Sequence, residues 1–461
     1  TIFRDEATML APISLTPPSG KVFAGWNTAA DGSGTSYTNQ QSVTNIAADG
    51  GSITLYAQWV VSICAGHENE LYCKVAAMNK GTQTAANLRV TITTPTSSNP
   101  TTDTSNSGVY EYDASVFGVS SDASNDYPIY YYRGVLDSDL DGTSSTYGSN
   151  GNGAYYPNYV KLGNTCWRIF RTTGSGGVKM IYNGLYSSGT NTNSCANAQS
   201  DARVDNLTYN GNTTRQVSHV GYTYNASIDS STDDNTPTDV VFGGNANFAE
   251  LNTTDSPIKN YIENTWFVGE NGLSLYESML EPSAGYCNDR SIYSNKTDAT
   301  LMTTIAPFYT GTEAYFGAYI RNRTDNRTLS LSCPRGEVDL YTTVSATGGN
   351  KQLDKPVALI TADEVALSGS GISNLISQYN TYSSVYNYNS FLRSGSGYYL
   401  LSPYYIYSGG LPSMYVLSGY STNGLLYDFE DVRPVISLVS GVIPSGGSGT
   451  ATDPWVVEVP L

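Results

Sequence analysis

The sequence predicts a mainly β protein with a minor α+β part. Three observations point there. Charged residues make up only 14% of the chain, well under the usual value of about a quarter, and long solvated helices need more. Glycine (45) and tyrosine (38) are abundant, which suits turns and strands. Alternating and β-branched segments recur along the chain, against one clear helical candidate.

At 461 residues the chain has room for roughly two to four domains. Its formal net charge of −17, with only 23 basic residues, leaves no basic patch and argues against a nucleic-acid partner. An acidic, polar surface suits an exterior protein. No apolar run is long enough to span a bilayer, so direct membrane insertion of this segment is not expected. Neither a signal peptide nor a C-terminal sorting motif is present. The expectation is therefore a piece of a larger secreted protein whose targeting and anchoring segments lie outside it.

Six cysteines fall into three sequential pairs, with no C-x-x-C and no metal-type spacing. The preferred reading is three local disulfides, Cys64–Cys73, Cys166–Cys195 and Cys287–Cys333, in an oxidising compartment. Six buried thiols are the alternative.

Residues 1–59 form the first expected unit. Val22 to Asn27 and Ser52 to Trp59 alternate as strands do, and Asp31-Gly32-Ser33-Gly34 is a turn. Trp26 and Trp59 supply most of a very small core. The motifs FAGWNT, DGSGT and LYAQW resemble the Listeria–Bacteroides repeat, a small β-grasp-like module of bacterial surface proteins, although that family's opening strand motif is altered here. The resemblance implies a stalk or spacer.

Residues 60–132 are expected to form a β-sandwich-like middle unit, with Val116 to Val119 and Tyr127 to Tyr132 either closing it or beginning the next. Asn87 to Thr94 alternates and resembles a strand of immunoglobulin-like surface domains; Thr94 to Ser107 is a candidate linker.

Residues 133–461 form the large module. Asp137, Asp139 and Asp141 before Gly142 open like a calcium loop, but the closing Glu is replaced by Gly148. A solvated Asp/Gly loop is the plainer reading, and calcium stays a minor possibility with no other cofactor expected. Trp167 to Arg171, the turn Gly174 to Gly177, and Val178 to Tyr182 predict a β-hairpin. Trp167, Ile169, Val178, Met180 and Tyr182 are its inward or cross-strand residues, and Arg168 and Arg171 its outward polar ones. Asn191 to Glu250 is a polar insertion. Ile258, Tyr261, Ile262 and Trp266 recur at helical spacing within Ser256 to Leu280, with Pro257 near the first turn. Pro356 to Ile360 reads as a buried strand. Thr361 and Glu364 form a capping box, which explains one of the adjacent carboxylates Asp363 and Glu364 without catalysis.

Tyr398 to Leu438 is the candidate recognition segment. Leu400 to Pro403 and the alternating Val432 to Leu438 look like framework. Between them lie Tyr404, Tyr405, Tyr407, Ser408, Tyr415, Tyr420, Ser421, Asn423 and Tyr427. Tyrosine offers large rigid contact area at low entropy cost, and Ser and Asn offer adaptable polar contacts. The same mixture also suits a Tyr-rich sheet face with no ligand.

The pieces NYVKLG, CWRIFRTT, GGVKMIYNG, YYLLSP and DVRPVISL resemble a large family of bacterial surface modules related to the C-type-lectin-like and sulfatase-modifying-factor folds. Asp431 stands where that family usually has Gly. The resemblance implies that the two ends of the module pair in one sheet, with helices packed against it. Some relatives are variable proteins of diversity-generating retroelements, whose codon replacement favours Tyr, Ser, Asn and Asp at ligand-facing positions.

No nucleophile elbow, phosphate loop or zinc set is present, and enzymatic activity is not expected. The leading expectation is an extracellular ligand-binding or adhesion module at a bacterial cell surface or wall, meeting a protein or glycan of a host or neighbouring cell. The alternative is a structural surface or pilus-like protein without a dedicated site.

Overall fold

The hairpin predicted over Trp167 to Tyr182 sits inside a computed structural model of the chain. It consists of Thr165–Thr172 and Val178–Leu185 paired antiparallel. The structure describes residues 5–82 (except 17 and 19–20), 108–134, 156–186, 194–195, 202–210, 221–224, 252–269, 272–293, 314–323, 329–344, 348–368, 391–392, 397–406, 412–417, 423–426 and 428–459. The fold is mainly β, with several sheets and few, short helices.

Two compact units divide the chain, 1–73 and 74–461. In the first, Lys21–Asn27 lies between Ser36–Tyr37 and Tyr56–Val61. Phe23 packs edge-on against Trp26 and Trp59, with ring centroids 5.0 and 5.7 Å apart. The two tryptophans alone could not close this core, and Phe23 joins them. Asn27 is buried and fixes the Asp31–Gly34 turn. Its amide donates to the carbonyls of Gly32 and Gly34, and its Oδ1 accepts from the Gly34 N–H at 3.0 Å. The Cys64–Cys73 disulfide belongs to this unit, so the boundary falls after Cys73 rather than after Trp59.

The expected separate unit over 60–132 is corrected. Gly108–Glu111 and Tyr130–Arg133 are neighbours in the nine-stranded sheet that carries the hairpin, joined to it where Tyr131 pairs with Arg171. Their buried side chains, Val109, Tyr131 and Tyr132, complete that sheet's core instead of building a second one. Asn87 to Thr94, the candidate linker, and Asp137, Asp139 and Asp141 lie outside the described residues.

The two ends of the large module meet in this sheet. Val435–Leu438 runs antiparallel to Val178–Leu185, and Trp455–Val457 runs parallel to Tyr159–Leu162. Trp167 faces Tyr182 across the hairpin and Ile169 faces Met180; all four are buried. Trp266 packs against the first pair at 6.1 and 5.5 Å. All three expected disulfides form.

The helical candidate is shorter than its periodicity suggests. Ser256 caps Pro257–Tyr261, with Pro at the first turn, and a π-helical turn follows over Ile262–Trp266. A Cβ at Gly272 would collide with the Phe267 carbonyl oxygen, and the chain resumes only as the 3-10 segment Ser274–Met279. The Thr361 and Glu364 capping box is present at the start of Ala362–Leu367.

Candidate functional site

Tyr398–Ile406 is the central strand of a second, seven-stranded sheet. Its first half is framework: Tyr398, Tyr399, Leu400 and Leu401 are fully buried. Pro412–Leu417 folds back on it antiparallel, and Asn423–Leu425 pairs with that strand in turn. Pro403 faces Met414 and Ile406 faces Pro412, so three steps on one strand match two on the other. This one-residue bulge interrupts the alternation that would send Tyr404 and Tyr405 to opposite faces. It also accommodates Pro403, which has no N–H for the ladder.

The two rings therefore lie together, centroids 4.8 Å apart. Tyr404 packs edge-on against Tyr319 at 5.0 Å and Tyr415 at 4.7 Å. Tyr405 stacks on Tyr315, its cross-strand partner, at 6.0 Å, and Tyr315 stacks on Tyr319 at 4.9 Å. Five tyrosines thus form one continuous cluster, backed by the helix Gly317–Arg323.

Tyr404 and Tyr415 are buried, at 7% and 0% exposure, which corrects the expectation that both face a ligand. Tyr404 is held between Tyr319 and Tyr415, and Tyr319 comes from a helix that no local pattern in 398–438 discloses. Tyr405 is half-buried and keeps part of its ring at the surface. Asn423 lies on the third strand, in register with Tyr415. Tyr407, Ser408, Tyr420, Ser421 and Tyr427 lie outside the described residues. Asp431 is a clip rather than a turn residue. It is buried, and its Oδ1 accepts from Asn206 Nδ2 at 2.9 Å and from Arg203 at 3.0 Å, tying Asp205–Thr208 to Phe429–Val432.

Arg168 and Arg171, expected as outward polar residues, are both buried. A bulge beside Phe170 brings Arg171 opposite Lys179, on the face of the hairpin shared with Arg168 and Ile181. Arg171 grips Asp122 with two hydrogen bonds of 2.8 and 2.9 Å and reaches Glu364 at 2.8 Å. Lys179 donates to the Gly285 carbonyl at 2.6 Å and approaches Glu364 at 3.4 Å. Burial pushes the Asp122 carboxyl up, but Arg171 beside it outweighs this and holds it at about 2. Burial pushes the Lys179 ammonium down, against the pull of Glu364. Asp363 bonds Arg321 at 3.0 and 2.8 Å, and Asp289 bonds the same guanidinium at 2.6 Å. The cavity between these charges holds about 20 Å³, room for one water and not for a substrate. Asp363 and Glu364 are thus both engaged by guanidinium groups, Arg321 and Arg171. Arg168 lies over the rings of Tyr159 and Phe391, 4.4 and 4.8 Å from their centroids.

Among the described residues one acidic trio, Asp255, Glu263 and Asp354, is close enough to share a metal ion. Lys259 already reaches Glu263 at 2.6 Å and Asp255 at 2.9 Å and supplies the counter-charge. No helix among the described residues is long and apolar enough to cross a membrane.

No protein family, curated protein or solved structure matches this chain.

Proposed function

We propose that this chain is an extracellular ligand-binding or adhesion module of a bacterial surface protein. Its recognition surface is centred on Tyr405 and continues into the Tyr/Ser/Asn-rich segments that follow it in sequence. The observation that carries this reading is the bulge at Pro403–Ile406. It sets one partly exposed aromatic ring on a platform of four packed tyrosines, so the ring loses little freedom when a partner covers it. Tyr404, Tyr415, Tyr315 and Tyr319 are then supports, and Tyr405, Tyr407, Tyr420 and Tyr427 the contacts. Three disulfides and a strongly acidic chain support an oxidising exterior compartment. The likeness of DVRPVISL and its companion motifs to lectin-like surface modules supports a protein or glycan of a host or neighbouring cell as partner. It also supports sequence variation targeted to this stretch.

One observation favours a second reading, a structural surface protein: two of the three described candidate tyrosines are packed inside. A glycan and host-protein binding screen separates the two. Binding that a Tyr405→Ala/Tyr407→Ala/Tyr420→Ala variant loses, with unchanged melting temperature, supports recognition. A ligand bound equally by that variant, or no ligand at all, would favour the structural reading.

A further inference from the structure

The third strand of the tyrosine-rich sheet, Asn423–Leu425, hangs on one neighbour. Among the described residues it pairs with Pro412–Leu417 alone, where Leu425 faces Ser413, Gly424 faces Met414 and Asn423 faces Tyr415. Phe429–Val432, a few residues on, lies between Asp205–Thr208 and Tyr398–Ile406. The two segments meet at Tyr399. Its hydroxyl donates to the carbonyls of Leu425 at 2.6 Å and Asp428 at 2.9 Å, and the Asp428 carboxylate accepts from the Leu425 N–H at 2.7 Å.

Glu430 faces this third strand directly. A Cβ on Gly424 would come 3.0 Å from Val416 Cγ2, 3.4 Å from Tyr399 Cε1 and 3.5 Å from Glu430 Cγ, so no side chain separates the strand from the Glu430 stem. Glu430 is half-buried, and its carboxylate has no hydrogen bond or ion pair among the described residues.

The charged groups nearby do not answer it. Its own segment offers Asp431 and, before it, Asp428, both acidic. The neighbouring strand offers Asp205 and, just ahead of it, Arg203, whose guanidinium bonds Asp431. Tyr398–Ile406, Pro412–Leu417 and Asn423–Leu425 contribute tyrosines and no charged side chain, and Tyr209 packs edge-on against Tyr399. Burial, then Asp428 and Asp431, push the Glu430 carboxyl up to about 7. The folded chain therefore holds this proton more tightly than the unfolded one. The stability it lends is fully present below the ordinary value of 4.5 and is lost as pH rises through 7.

An ionised carboxylate kept from water is costly, and a fold relieves such a cost where least has to break. Lifting Phe429–Val432 parts two ladders, whereas lifting Asn423–Leu425 parts one. We propose that Glu430 is a pH-dependent latch on the recognition surface. Protonated, it lets Asn423–Leu425 seat against Tyr399 and Val416; ionised, it favours lifting of that strand so that water reaches the carboxylate. The consequence for binding rests on the recognition reading above. This strand runs between Tyr420 and Tyr427 in sequence, so a partner meets an ordered edge in mildly acidic surroundings and a looser one above neutrality.

The test needs no ligand, so it can fail or succeed apart from that reading. Hydrogen exchange of the full chain is followed by mass spectrometry at about pH 5 and about pH 8, as protection factors corrected for the pH dependence of intrinsic exchange. Protection of Asn423–Leu425 should fall about fivefold at the higher pH, the shift expected of a half-exposed carboxyl after solvent screening. Val435–Leu438, in the other sheet, should change less and serves as the internal reference. Glu430→Gln, which keeps the shape and removes the charge, should hold the high protection at both pH values. Glu458→Gln, at an exposed position elsewhere, should behave like the unaltered chain. Glu263 is also pushed up to about 7, but it lies in the π-helical turn and is intact in both variants. Equal protection at the two pH values would overturn the proposal. So would a fall that Glu430→Gln retains, a fall that Glu458→Gln abolishes, or one shared equally by Val435–Leu438.

Discussion

Arg171→Met removes one guanidinium from the interior and leaves two carboxylates behind. Arg171, Asp122 and Glu364 have side chains only 4%, 5% and 4% exposed, so neither acid can recover full hydration. Removing one partner of such a buried set costs about 3–5 kcal/mol, because the remaining charges stay desolvated. Asp122 gives a second, independent scale. Its carboxyl sits at about 2 against an ordinary 3.8, worth about 2 kcal/mol of pH-dependent stability. The folded carboxyl binds a proton less readily than the unfolded one. Its contribution is therefore fully present above pH 3.8 and is lost as pH falls toward 2. In the variant, burial without Arg171 raises that carboxyl. Protonation then relieves the folded state, and the variant's deficit should narrow as pH falls from 7 toward 4. Urea unfolding followed by tryptophan fluorescence, with Trp167 in the affected sheet, measures both effects. A variant within about 1 kcal/mol of the unaltered chain at pH 7, or a deficit constant with pH, would refute the argument.

Three further outcomes follow from the same packing. Tyr404→Ala should cost about 3–5 kcal/mol by chemical denaturation, whereas Tyr405→Ala, with part of its ring already at the surface, should cost clearly less; equal losses would contradict the support-and-contact division. Burial, then Asp428 and Asp431, push the Glu430 carboxyl up to about 7, so the favourable neutral form is fully present below its ordinary 4.5 and lost as pH rises through 7. Glu430→Gln should flatten the stability profile across that window by about 1 kcal/mol after solvent screening, and an unchanged profile would count against it. The Cys287–Cys333 bridge closes 46 residues, so Cys287→Ser/Cys333→Ser should destabilise the large unit by about 4 kcal/mol, read from the urea midpoint.

Much of the fold was legible in local patterns. The hairpin around Gly174 to Gly177 and the cap at Thr361 depend on neighbours a few residues apart, and the structure has both. Sequential cysteine pairing also held, since each bridge links cysteines adjacent in the cysteine order. The candidate site was less legible. Tyr404 and Tyr405 look equivalent in sequence; the bulge that brings them together depends on the partner strand, and the ring of Tyr319 that packs on Tyr404 comes from elsewhere in the chain. Arg171 follows the same rule, because its bulge turns it to Lys179 and its acids, Asp122 and Glu364, lie 49 and 193 residues away.

By itself, the sequence determined the mainly β class, the three bridges, the hairpin and the place of the tyrosine-rich strand. These follow from side-chain periodicity and turn chemistry, which act over a few residues, and from cysteine order. Only the tertiary structure decided that Gly108–Arg133 completes the large sheet, that two arginines lie inside it, and that Tyr319 packs on the buried Tyr404. Burial is a property of what packs from elsewhere in the chain, and a strand cannot disclose from its own alternation which of its faces will be covered.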